Sequence, residues 1–177
     1  GKNDSALKYF LLSEKTHDKN GCTECLDCTD LFFKIANFYS DALGNEDAAF
    51  KYWMKYLNEL NKNSLSNTFE YFTTLINISD IAYKIGRPHK GIEFSDKAIE
   101  LRDNFLDSNE WLGKLSLYRG NLLSLLGRHE EALNSYFKVL KILEINSELA
   151  EFIPHPFNNI SIEYDFLRNQ ELRKSYL

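Results

Sequence analysis

The chain has 177 residues, of which 44% are hydrophobic and 14% aromatic, with only 8 Gly and 3 Pro. That is enough apolar material for a continuous core and too few turn formers for a many-stranded β protein. A formal net charge of −5 argues against nucleic-acid binding, which leaves a basic footprint, and no apolar run is long enough to span a bilayer. Three cysteines confined to Cys22–Cys28 do not make a secreted disulfide framework, so a reducing, cytoplasmic setting is expected.

Taken in chain order, the first segment, GKNDSALKYFLLSE at 1–14, carries Ala6, Phe10 and Ser13 at spacings of four and three, one stripe on one helical face. Next comes the one local motif that could carry chemistry: Cys22, Cys25 and Cys28 as C-x2-C-x2-C, with His17 five residues upstream. Three thiolates and one imidazole would satisfy tetrahedral zinc. On a regular helix, however, two successive steps of three turn the outer cysteines well apart. The plainer reading has Thr23 capping a helix and Cys25 and Cys28 as small buried residues. No metal or other cofactor is expected.

A helix is expected over about 23–42, closed by Gly44. LGNEDAAFKYWMKYLNEL at 43–60 then repeats the first stripe with Ala49, Trp53 and Tyr56. A helix over about 67–85 leads to Gly86, and IGRPHKGIEFSDKAIEL at 85–101 follows with Gly91, Ser95 and Ala98. A helix over about 109–126 leads to Gly127, and LGRHEEALNSYFKVLKI at 126–142 carries Ala132, Tyr136 and Val139. A last helix, about 157–168, begins a fifth pair, with Pro154 and Pro156 between pairs where they cost least. Gly1, Gly44, Gly86 and Gly127 mark the period, about 42 residues. A Gly in left-handed conformation ends one helix, and the small residue five positions on lets the next approach closely. Seven positions before each internal turn Gly stand Asn37, Ser79 and Gly120, a second close-packing point. His89 and His129 follow turns, where an exposed polar residue is ordinary, and Glu130 and Glu131 complement a helix N-terminus.

This pattern resembles the tetratricopeptide repeat. Gly120, Gly127, Ala132 and Tyr136 match its order of small, Gly, small and aromatic positions; Tyr83, Gly86 and Ala98 match it less fully. The family period is 34 residues, shorter than the one here, and the inter-pair Pro is missing from NELNKNSLSN and RDNFLDSNEW. The longer period is similar to extended-helix variants found in kinesin light chains, polarity-complex adaptors and bacterial peptide-sensing regulators. The resemblance implies an all-α fold, a right-handed α-solenoid of stacked antiparallel helix pairs. The expectation is one array over 1–177, with four to five hairpins, belonging to a longer protein.

The resemblance also implies that the first helix of each pair lines a concave face that binds a protein or peptide. Aligned on the turn glycines, that face receives Lys34 and Phe38, then Asn77, Asp80, Tyr83 and Lys84, then Lys114, Tyr118, Asn121 and Ser124, then Asn158 or Asn159 and Glu163. On the functional reading, Asn77 and Asn121 hold a peptide backbone through their amides while Tyr83 and Tyr118 pack its side chains. The plainer reading makes them solvated helix residues. Phe38 and Leu117 stand where chaperone-tail binders need Asn and Lys, so that ligand is not expected. No phosphate-binding loop, His-Glu-x-x-His or nucleophile elbow occurs, and the chain reads as an adaptor or sensory module, not an enzyme. The rival readings are self-association, a second copy stacking on the exposed ends of the array, and a metal or redox switch at Cys22–Cys28.

Overall fold

A computed structural model of the chain describes residues 2–20, 26–105 and 108–175. The described residues form eight α-helices and no strand. They are α1 (Lys2–Asn20), α2 (Leu26–Asn37), α3 (Glu46–Lys62), α4 (Phe69–Lys84), α5 (Pro88–Leu101), α6 (Asn109–Leu125), α7 (His129–Ile145) and α8 (Phe157–Ser175). The chain divides into two compact units, residues 1–74 and 75–177. The boundary falls inside α4.

In the first unit α2 packs along α3, and α1 lies against α2. The apolar stripe of α3 is the expected one: Ala49, Trp53 and Tyr56 are buried, joined by Tyr52, Leu57 and Leu60. Aromatic rings fill the space between the helices. Tyr39 stacks on Tyr52 at 5.4 Å, and the edge of Phe33 meets Trp53 at 5.6 Å. Asn45 caps α3, its side-chain oxygen accepting from the Ala48 N–H at 3.0 Å.

The end of α2 departs from the expected regular helix. Phe38–Ala42 forms a π-helical turn directly after Asn37, the largest of the three residues at the second close-packing point. Its closing bonds are one residue wider than those after the other two hairpins: the Asn45 N–H donates to Tyr39 O and the Gly44 N–H to Ser40 O. At the other turns the two bonds run from Arg87 to Ala82 and from Gly86 to Tyr83, and from Arg128 to Leu123 and from Gly127 to Ser124. Gly86 and Gly127 hold φ of +66° and +70°, the left-handed residue that this ending needs.

One polar contact ties α1 to α3. Glu14 is buried, accepts from the Tyr52 hydroxyl at 2.8 Å and pairs with Lys55. Burial works against its charge, but the bonds from Lys55 and Tyr52 outweigh that and hold the carboxyl below its usual range. A carboxylate with a depressed folded pKa adds stability that is full above its unfolded value and is lost as pH falls through the folded one. Glu14→Gln should therefore lower the urea midpoint of the chain most above about pH 4.5, the unshifted value. The gap from wild type should shrink in more acid solution. A gap independent of pH between 6 and 3 would contradict an ionised Glu14.

In the second unit α6 and α7 form the most extensive pair, α5 packs on α6, and α8 lies on α7. Leu117, Leu123, Ala132, Tyr136, Val139, Leu143 and Ile153 make its core cluster. The small residues act as anticipated. A methyl group at Gly120 would land on the Tyr136 ring, and one at Gly91 on Leu122. Gly113 plays the same part under Ile153, a contact the repeat pattern does not show. The length beyond 34 residues sits in the 17-residue helices α6 and α7 and in the connections that begin at 63 and at 102.

Candidate functional site

The C-terminal half of α4 and the length of α6 bring together most of the residues expected to bind. Asn77, Asp80, Tyr83 and Lys84 follow one another at helical spacing on α4, where Asn77 and Asp80 are half-buried and Tyr83 and Lys84 exposed. Lys84 reaches back one turn to Asp80 at 2.9 Å. Tyr118 of α6 is half-buried beside that ion pair. Burial pushes its phenol up to about 12, with Asp80 adding to the shift and Lys84 opposing it. At neutral pH it is thus an uncharged hydroxyl with a donor to offer. Nearer the start of α6, Lys114 pairs with Glu110 at 2.5 Å and lies over the Trp111 ring at 4.7 Å.

Asn121 is placed on this helix as expected, but part of it is already engaged. Its side-chain oxygen accepts from the Tyr136 hydroxyl at 2.9 Å and from the Asn159 amide at 2.8 Å. Gly120 makes this possible: with no side chain there, the α7 tyrosine ring passes over α6 and delivers its hydroxyl to the next residue. Asn121, Tyr136 and Asn159 so join α6, α7 and α8. Burial raises the Tyr136 phenol pKa as well.

Two sequence expectations are corrected on α7 and α8. His129 is not an ordinary exposed residue after a turn. Its side chain is 10% exposed, its Nδ1 meets Glu163 Oε2 at 2.6 Å, and its ring stacks on Phe166 at 4.8 Å. Glu163, expected on an open face, is 1% exposed. The two residues lie 34 apart in sequence, and only packing of α8 on α7 brings them together. Asn158 stays exposed, as does Lys34, which lies in the first unit and pairs with Asp30 at 2.5 Å.

Of the cysteine motif, Cys22 and Cys25 lie outside the described residues. His17 belongs to α1 and Cys28 to α2, and their side chains are likewise outside what is described. Among the described residues no cluster of three or more His, Cys, Asp or Glu could hold a metal ion. No helix among them is long and apolar enough to cross a membrane.

Residues 72–105, running from α4 past the end of α5, match the family model of the tetratricopeptide repeat. Among solved structures the chain is similar to BtubC (BKLC) from P. vanneervenii, with 16% identity and a TM-score of 0.72 over 93% of this chain and 66% of that one. It thus spans just under two thirds of that protein's length, and at this identity the likeness is one of fold. No curated protein matches the chain. The class is therefore that of tetratricopeptide-like helical-repeat proteins, all-α with helices packed in adjacent pairs. More particularly, it is the α4–α5 hairpin that matches the repeat, and α6–α7 has the same turn glycine and the same small residue five positions on, with Tyr136 where α5 has Ser95.

Proposed function

We propose that this chain is a protein- or peptide-binding module, an adaptor or the sensory part of a regulator, and that the face made by α4 beyond Thr74 and by α6 is its working surface. Repeats of this family generally mediate protein–protein interaction, and inference from fold to binding is an argument by class. The observation that carries it to a place is the juxtaposition on α4 and α6 of Asp80, Tyr83, Lys84 and Tyr118, partly exposed and polar-aromatic, beside the Asn121–Asn159 amide pair. Asn77 extends the same face on α4, and Lys34 would belong to a corresponding face of the first unit. Uncharged amides and phenols at half-burial can hydrogen-bond a main chain and pack side chains without a reacting group.

The test is a pull-down from native lysate with the wild-type chain beside an Asn77→Ala, Tyr83→Ala double variant. Tyr83 is exposed and Asn77 half-buried, and neither belongs to the core, so the fold should survive, which circular dichroism would verify. A partner retained by the wild type and lost by the folded variant is the expected result. Equal retention by both would move the working surface elsewhere.

Self-association is the second reading, and α8 favours it: Phe157, Tyr164 and Phe166 are each at least half exposed on one helix. Light scattering over a concentration series distinguishes the two, since a mass that stays at one chain removes this reading.

A further inference from the structure

The cations of the proposed binding face are already neutralised. Beyond Thr74, α4 carries one, Lys84, and α6 carries two, Lys114 and Arg119. Lys84 is paired with Asp80 at 2.9 Å and Lys114 with Glu110 at 2.5 Å, each with the carboxylate one helical turn before it. Arg119 is turned to α5, where it donates to Asp96 at 2.6 Å and to Ser95 at 2.9 Å. Lys114 is further committed to the Trp111 ring, and its side chain is only 20% exposed. The two carboxylates of this face are taken by the same pairs.

A charged peptide would have to pull one of these partners away and would gain little net Coulomb energy by the exchange. What remains open to a ligand is uncharged. It consists of the Tyr83 ring, the phenol of Tyr118 that burial keeps protonated, and amide groups of Asn77, Asn121 and Asn159.

Resting on the reading of this face as the binding surface, we propose that its partner is an uncharged, apolar-to-aromatic internal stretch of a protein, selected neither for acidic residues nor for a free terminal carboxylate. Charge complementarity decides this: a face of balanced short-range pairs selects by shape and hydrogen bonding rather than by field.

The probe is a pair of phage-displayed random-peptide libraries panned on the whole chain, one displaying an internal segment and one a free C-terminus. The expected outcome is enrichment from the internal library, with aromatic and aliphatic residues over-represented and Asp, Glu, Lys and Arg not. A synthetic peptide from that pool should bind with affinity changed by less than about twofold between low and high salt, since screening acts on charge interactions. Tyr83→Ala should weaken it by about fivefold or more, of the order expected for a lost aromatic contact. Enrichment of acidic or C-terminal sequences, or affinity falling steeply with salt, overturns the proposal while leaving a peptide-binding face in place. Binding unaffected by Tyr83→Ala, or no enrichment from either library, removes the reading of the face itself and the proposal with it.

Discussion

Tyr136→Ala is expected to destabilise the second unit by about 3–5 kcal/mol, the cost of emptying a buried aromatic site. Tyr136 is 1% exposed and sits in the core cluster with Leu117, Leu123 and Val139. Its ring rests on the bare backbone of Gly120, where no neighbouring side chain can swing in to fill the space. Tyr136→Phe separates the ring from the hydroxyl. It keeps the packing and removes one of two donors to Asn121, whose oxygen retains the bond from Asn159. That variant should lose about 0.5–1.5 kcal/mol, the net worth of one hydrogen bond. Urea denaturation followed by circular dichroism reads both. A Phe variant as damaged as the Ala variant would mean that the hydroxyl, not the ring, organises the α6–α7 pair.

The same residue shows what was legible in the sequence. Gly120 could be assigned to a close-packing point and Tyr136 to the inner stripe of its helix from spacing alone, whereas their direct contact is seen only in the structure. The turn glycines are legible for a related reason: few other residues adopt positive φ without strain, and Gly86 and Gly127 do so as expected. Ala49, Gly91 and Ala132 are buried at the predicted contact points. In α1, by contrast, Ala6 and Phe10 are only half-buried and Ser13 is exposed, since the stripe there has less to pack against in the first unit.

The candidate site was legible in part. Spacing from the turn glycines places Asp80, Tyr83 and Lys84 on one helix and Tyr118 and Asn121 on another, and the two groups do meet. It does not reveal that the Asn121 oxygen is occupied, because the donors come from residues 15 and 38 positions away, through the packing of two further helices. Nor does it reveal the ion pairs that neutralise this face, since an Asp and a Lys one turn apart have a choice of partners until neighbouring helices are in place. The π-helical turn at Phe38–Ala42 was equally hidden, since a single wider turn at a helix end leaves the spacing of the apolar stripe and the turn glycine unchanged.

The burial of His129 and Glu163 has the other large consequence. At 10% and 1% exposure and 2.6 Å apart, they form a polar clasp at the start of α7, with Phe166 stacked on the imidazole. Among the described side chains of α8, Ile160 packs against the core cluster, whereas Phe157, Ile162, Tyr164 and Phe166 stay at least half exposed. Removing one member of the clasp leaves the other buried without its hydrogen-bond partner, at a cost of about 1–3 kcal/mol. Glu163→Leu and His129→Leu are each expected to cost in that range, and Glu163→Gln less, because an amide oxygen can still accept from the ring nitrogen. The double Leu variant should be more stable than either single one, since an apolar pair of similar volume leaves no orphan. The loss should also be local. Hydrogen exchange is expected to rise across 157–175 in the single variants while α6 and α7 keep their protection, because this clasp is, with Asn159 and Ile160, among the contacts that join α8 to the pair. If exchange rises equally through α6 and α7, then α8 folds as one cooperative body with them, and the clasp is part of the core rather than the fastening of a terminal helix.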